Sequence, residues 1–71
     1  NMKPFNLEAA VAGKPVVTRN GQPVSELHCF GSPLLRYPLY ALIGNGEVVL
    51  EYTKNGTYSP SPELDLFMAE E

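Results

Sequence analysis

Short runs of hydrophobic residues alternate with polar ones along this chain, and glycine, proline and asparagine separate the runs. The clearest alternation places Val48, Leu50 and Tyr52 on one face and polar residues, together with one valine, on the other. A period of two is typical of a half-buried strand. Residues 37–43 are apolar on both faces, which favours a central strand or one that is covered on both sides. The pattern therefore predicts strands over 37–43 and 47–53, joined by a turn at 44–46.

The first half of the chain predicts a β-hairpin. Residues 16–19 form the first predicted strand, and residues 23–30 form the return strand. Asn20 and Gly21 lie between them and favour a two-residue type I′ turn, which needs a positive φ at both positions. The return strand departs from a strict period of two, and a β-bulge near residues 25–26 would restore it.

The last third of the chain is less regular. Residues 54–56 predict a turn, and residues 57–58 then begin a short strand. Residues 59–62 are predicted to form a loop, because the prolines at 60 and 62 cannot donate hydrogen bonds to a neighbouring strand. The apolar segment 64–68 is predicted to pair as the last strand, with a helical turn as the alternative.

A short helix is predicted before the first strand. Asn6 is a good N-cap, and Gly13 can adopt the left-handed conformation after the helix end. Leu7, Ala10 and Val11 share one face at helical spacing. A helix of about two turns is not stable alone, so we expect it to pack on the strands.

These elements predict an α+β fold that is mostly β. The short N-terminal helix packs on a curled antiparallel meander or on a small open β-barrel of four to six strands. The 71 residues form one domain, 1–71, with an N-terminal arm at 1–4 and an acidic tail at 69–71. Asn1 precedes Met2, which indicates a residue left from an expression tag.

Charge and hydropathy exclude two classes of partner. The net charge is −3, with eight acidic and five basic residues. Because no basic stripe is present, we expect no duplex nucleic acid partner. No apolar run approaches the roughly 18 residues that span a bilayer, and no signal peptide is visible, so we expect no membrane association.

The residue types that perform catalysis are poorly placed. Cys29 is the single cysteine, and its neighbour His28 would point to the opposite face of a strand. Glu47 and Glu51 share a face but lie about 13 Å apart at the ~3.3 Å rise of a strand. No cluster has the spacing of metal ligands. We therefore predict that the protein is not an enzyme, with no catalytic residue, metal or cofactor.

Several longer motifs resemble a known group of proteins. They are MKPFNLEAAVAGKPVVTRNGQPV at 2–24, YPLYALI at 37–43, YTKNGTY at 52–58 and DLFM at 65–68. Together they resemble small phage and prophage proteins, and the resemblance covers nearly the whole chain. It implies a phage gene product in the cytoplasm of the bacterial host, and it implies no reaction.

A binding role is the remaining prediction. Tyrosines are common at interfaces, and basic residues beside turns can hold an anion or an acidic partner. The alternative is that the tyrosines pack in a core without tryptophan and the basic residues are solvated. The candidate binding residues are Arg19, Arg36, Tyr37, Tyr40, Tyr52, Lys54 and Tyr58.

Three functional hypotheses follow from these residues. In the first, the domain docks on a host protein, such as one of a bacterial defence system, through an exposed apolar or aromatic patch. In the second, it captures a small anionic ligand such as a nucleotide signal, where a basic residue meets a tyrosine ring. In the third, it is an accessory structural phage protein. Under all three, the small size and the apolar strand 37–43 favour a homodimer.

Overall fold

The computed structural model describes residues 2–69, so Asn1 and the acidic residues 70 and 71 lie outside the described part of the chain. The elements, in chain order, are β1 (Lys3–Pro4), α1 (Leu7–Val11), β2 (Val16–Thr18), β3 (Val24–Cys29), β4 (Leu39–Ile43), β5 (Val48–Tyr52), a 3₁₀ turn (Pro62–Leu64) and β6 (Leu66–Met68).

The strands form two antiparallel sheets of three strands each, in the orders β1-β6-β2 and β3-β4-β5. The α+β fold with mostly β content is confirmed, but the sheet is divided into two and is not one curled meander or barrel. The chain passes from one sheet to the other at Pro23, since the Pro23 carbonyl accepts the Gly44 N–H beside β4 at 2.8 Å. In the described residues, a single antiparallel bridge between Val17 and Pro23 connects β2 with the residue that precedes β3.

The first sheet joins the two ends of the chain. Lys3 and Pro4 fall within the predicted arm 1–4, and they form β1, which pairs with Met68 and Phe67 of β6. The other edge of β6 pairs with β2. The strand alternative for 64–68 is confirmed over Leu66–Met68, whereas residues 57–58 form no strand.

The helix has the predicted caps but a different exposed face. The Ala9 N–H donates to Asn6 Oδ1 at 3.1 Å, and Gly13 has φ 103°. Ala10 is buried, but Val11 is 59% exposed. The helix has only five residues, so it presents one residue fully to the core and not a continuous apolar stripe.

The first hairpin turn differs from the predicted type I′. A type I′ turn needs a positive φ at both Asn20 and Gly21. Gly21 has φ 90°, but within residues 2–69 no residue other than glycine has a positive φ, so Asn20 does not meet this requirement. The Gly21 N–H donates to the Thr18 carbonyl at 2.9 Å, and the Thr18 N–H donates to the Gln22 carbonyl at 2.9 Å. This is a three-residue loop over 19–21. The Thr18 hydroxyl stabilises it, because it accepts the Gln22 N–H at 2.9 Å and donates to the Asn20 side chain.

The turn after β5 repeats this arrangement. The Gly56 N–H donates to the Thr53 carbonyl at 2.9 Å, and the Thr53 N–H donates to the Thr57 carbonyl at 3.2 Å. The Thr53 hydroxyl accepts the Thr57 N–H at 3.2 Å, and Gly56 has φ 79°. The two segments, Thr-Arg-Asn-Gly and Thr-Lys-Asn-Gly, are thus the same turn used twice.

The core lies between the buried faces of the two sheets and α1. The predicted bulge in β3 is confirmed, because the register against β4 shifts between Val24 and Glu26. Tyr52, Leu39 and Thr18 are the largest fully buried side chains. The buried hydrophobic residues are Ala10, Val16, Leu39, Ala41, Ile43, Tyr52, Leu66 and Met68.

Candidate functional site

The sheet β3-β4-β5 has one face in the core and one face that no other element within residues 2–69 covers. Leu39, Ala41 and Ile43 point into the core, so the alternate residues Tyr40 and Leu42 point outwards. The register with β3 and β5 places further outward side chains beside these two. We define the outer face by Glu26, His28, Phe30, Tyr40, Leu42, Val49 and Glu51.

An aromatic cluster occupies one end of the outer face. The rings of His28 and Phe30 meet edge to face with centroids 4.6 Å apart, and those of Phe30 and Tyr40 meet likewise at 5.2 Å. The Tyr40 hydroxyl donates to Glu51 Oε1 at 3.0 Å, and this hydrogen bond raises the pKa of Tyr40. The cluster is held in place yet accessible, since Phe30 remains 45% exposed.

The remainder of the outer face is aliphatic with an acidic border. Leu42 and Val49 line a shallow depression of about 200 Å³, and Val49 is 58% exposed. Glu26 and Glu51 lie on the face itself, and the segments 23–35 and 37–53 contain no Lys or Arg. The face therefore combines apolar and aromatic groups with negative charge.

A groove beside β5 brings three of the predicted binding residues together. Tyr37 and Tyr58 line it with Ser59 and Glu51, and its volume is about 340 Å³. Hydrogen bonds with the Ser59 hydroxyl and the Arg36 guanidinium lower the pKa of the Tyr37 hydroxyl. The groove thus has a basic residue at a tyrosine ring, but it also has a carboxylate in its wall.

Tyr52, which was predicted as a binding residue, is instead a core residue. It is fully buried, and its hydroxyl donates to the Leu64 carbonyl at 2.7 Å. Burial raises the pKa of Tyr52 to about 12. Its ring centroid lies 5.5 Å from that of Tyr58, which is half-buried. Tyr52 therefore cannot touch a partner in this fold.

Arg19 is engaged within the chain. Its Nε donates to the Pro62 carbonyl at 3.0 Å, and its guanidinium lies 3.5 Å from an Asp65 carboxylate oxygen. The same guanidinium covers the Phe67 ring at 4.8 Å from the centroid. Lys54 occupies the corresponding position of the second turn and is exposed. Arg19 thus attaches the first turn to the segment before β6, and it lies apart from the outer face.

This arrangement predicts unequal effects of two matched substitutions. We expect Arg19→Met to lower the free energy of unfolding by about 1–2 kcal/mol, because it removes a hydrogen bond, an ion pair and a cation–π contact that are each worth up to about 1 kcal/mol at an exposed site. Lys54→Met should change it by less than about 0.5 kcal/mol. Urea unfolding of both variants measures the difference, and equal losses would contradict the structural role of Arg19.

Sequence reasoning missed several residues of the outer face, namely His28, Phe30, Leu42 and Val49. The signal was present for part of this set, since a strand over 23–30 places residues 28 and 30 on one face. A second omission is Leu34, which is 93% exposed in the loop between β3 and β4. The Ser32 hydroxyl accepts the Leu34 N–H at 3.2 Å and helps to order this loop.

Residues 2–69 match the family model of Haemophilus phage HP1 protein YO09. The chain belongs to this YO09 family. Membership confirms the resemblance to phage proteins, and the match spans all residues that the structure describes, so the outer face and both turns lie within the family's domain. Neither the curated proteins nor the solved structures contain a significant match to the chain. Within residues 2–69, no helix is long and apolar enough to cross a membrane.

Proposed function

We propose that this member of the YO09 family is a non-enzymatic binding module that docks on a protein of the bacterial host through its outer face. The observation that carries the proposal is the exposed aromatic and aliphatic surface of the β3-β4-β5 sheet. Phe30, Leu42 and Val49 stand on a face that nothing in residues 2–69 covers. Apolar patches of this kind on small domains mark sites of protein–protein interaction.

The aromatic cluster supports a protein partner. Edge-to-face contacts hold His28, Phe30 and Tyr40 in one arrangement, so little side-chain entropy is lost when a partner binds. Aromatic residues at the centre of an interface contribute much of its binding energy. The three rings would be the anchor of the docking surface.

The charges of the outer face specify the partner's chemistry. Glu26 and Glu51 border the apolar centre, and no Lys or Arg lies on the three strands. Complementary potentials favour a host protein with an apolar patch that is bordered by Lys or Arg. A protein of a host defence system with such a surface is the partner that we propose.

Matched substitutions test this docking surface. The wild-type chain, immobilised and exposed to lysate of the host bacterium, should retain one host protein in stoichiometric amount, and Leu42→Glu should lose it. In the purified complex we expect Leu42→Glu to raise Kd at least about tenfold, because it places a charge in the apolar centre. Glu26→Lys should also weaken binding, and the loss should shrink at high salt.

The control is Val11→Glu, which also replaces an aliphatic residue by glutamate but at an exposed position of α1 outside the outer face. We expect Val11→Glu to retain the host protein at wild-type affinity. Equal loss with both variants, or full retention by Leu42→Glu, would contradict docking through the outer face. If the wild-type chain retains no protein, the accessory structural role becomes the better account.

The capture of a small anionic ligand is the second candidate. It is favoured by the Arg36 guanidinium at the Tyr37 hydroxyl beside the 340 Å³ groove. Glu51 in the groove wall opposes an anion, which is why docking ranks first. A set of nucleotides tested by thermal shift separates the two: ligand capture requires a rise in Tm that Arg36→Met abolishes and Leu42→Glu does not.

A further inference from the structure

The strand β5 forms an open edge of its sheet. It is the last strand in the order β3-β4-β5, and it is five residues long. Two valines stand at this edge, Val48 at 50% and Val49 at 58% exposure. Natural edge strands are usually blunted by bulges, prolines or basic residues, because unpaired backbone groups recruit another strand. β5 has none of these features.

The hydrogen-bond pattern identifies the free groups of this edge. The Gly46 N–H donates to the Ile43 carbonyl, so Ile43 directs its backbone towards β5, where it pairs with Val48. Backbone direction alternates along a strand, so Val49 and Glu51 direct their N–H and C=O groups away from β4. Thr53, two residues further on, agrees, because its N–H and C=O bond to the turn outside the sheet. In residues 2–69 nothing pairs with the edge groups of Val49 and Glu51.

The groove described above keeps these groups accessible. Val49 and Glu51 line this groove together with Ser59 and Pro60, and a space of about 340 Å³ lies between these residues. Thr53 is already paired with Thr57, so a strand that is added to this edge has two consecutive free positions to bond, at 49 and 51.

A second copy of β5 fits these two positions. In an antiparallel pair related by a two-fold axis at Leu50, Val49 of each copy lies opposite Glu51 of the other. Both residues direct their backbone groups towards the partner strand in this register, which gives four hydrogen bonds between the copies. An axis at Val49 would place Glu47 opposite Glu51, and an axis at Glu51 would place two glutamates face to face, which destabilises a sheet.

We infer that two copies of the chain associate through their β5 edges, centred on Leu50, to form a continuous six-stranded sheet. The register uses both free backbone positions of β5, at Val49 and Glu51, and places Val48 and Val49 beside the partner strand. In this register no glutamate of one copy lies directly opposite a glutamate of the other copy. The dimer doubles the outer face along one sheet, and it does not depend on the proposed host partner.

Substitutions at Val49 test both the dimer and its register. Sedimentation equilibrium of the wild-type chain should show a monomer–dimer equilibrium at micromolar concentrations. Val49→Glu should raise the dimer Kd roughly tenfold, because it places two carboxylates opposite Glu51 of the other copy. Val49→Lys should not raise it, because each lysine then lies opposite a carboxylate. The double variant Val49→Glu with Glu51→Lys should restore the wild-type Kd.

A backbone variant provides an independent test. Val49→Pro removes the N–H that points out of the sheet and leaves the β4 ladder unchanged, so we expect a folded monomer by circular dichroism and sedimentation. A wild-type chain that is monomeric at 200 μM (roughly the upper range in which weak dimers form) would overturn the inference. So would a folded Val49→Pro variant that still dimerises. If Val49→Lys weakens the dimer as much as Val49→Glu, the Leu50 register is wrong.

Discussion

Gly56→Ala is expected to destabilise the protein by about 2–4 kcal/mol, whereas Gly21→Ala should cost only about 1 kcal/mol. Both glycines close the same Thr-x-Asn-Gly turn with positive φ, so a side chain at either position introduces backbone strain of about 1 kcal/mol. A Cβ atom at Gly56 would lie 2.9 Å from two ring atoms of Phe5 and 3.1 Å from Leu66 Cβ, whereas at Gly21 it meets nothing within 4 Å. Overpacking of this kind adds about 1–3 kcal/mol.

Thermal and urea unfolding of the two variants measure this difference. In a domain of this size, about 1 kcal/mol shifts Tm by roughly 4–8 °C, so the pair should be clearly separated. Phe5→Leu provides a further check, since the smaller side chain should relieve part of the added cost of Gly56→Ala and make the double variant less than additive. Equal losses at Gly21 and Gly56 would show that the Phe5 contact adds nothing beyond turn strain.

The Phe5 contact illustrates which parts of the fold were predictable from the sequence. The turn at 54–56 and the cap at Asn6 rest on interactions over a few residues, and both were predicted correctly. The bulge near residue 25 was predictable because a strict alternation failed there. The contact between the Phe5 ring and Gly56 involves residues about fifty positions apart in the sequence, and no local pattern indicates it.

Strand pairing was the main feature that the sequence left undetermined. The two tight turns suggested one continuous meander. In the structure, β6 instead lies between β1 and β2 in one sheet, and β3, β4 and β5 form a second sheet. β1 has only two residues, so it carries no periodic signal. One bridge, between Val17 and Pro23, connects β2 with the residue before β3, and the Pro23 carbonyl accepts the Gly44 N–H beside β4 instead of a group of β2.

The candidate site was predictable in residue type but not in position. Alternation in β5 placed Tyr52 with Val48 and Leu50, and this is the inward face, so the pattern already favoured burial of Tyr52. The face of a strand that is covered depends on the second sheet, which the sequence does not reveal. Tyr40 therefore lies on the outer face and Tyr52 in the core, although both are tyrosines in adjacent strands.

We expect the wild-type protein to be more stable than Tyr52→Phe at neutral pH, and Tyr52→Phe to be the more stable of the two at strongly alkaline pH. At pH 7 we expect Tyr52→Phe to be less stable by about 1 kcal/mol, because the Leu64 carbonyl loses the donor that now lies 2.7 Å away. The folded-state pKa of Tyr52 is about 12, and the unfolded chain has the usual tyrosine value of about 10. The folded state therefore holds this proton more tightly than the unfolded state does.

The stability that Tyr52 contributes is fully present below pH 10 and is lost as the pH rises towards 12. The full loss corresponds to about 2–3 kcal/mol, at about 1.4 kcal/mol for each pKa unit. Since all other titrating groups are common to both proteins, the difference between wild type and variant isolates Tyr52, and the two curves should cross near pH 11, roughly midway between the two pKa values. Urea unfolding at intervals from pH 7 to 12 measures the crossing. A constant difference across this range would mean that Tyr52 titrates alike in the folded and unfolded chain, and that its hydroxyl is not held in a buried hydrogen bond.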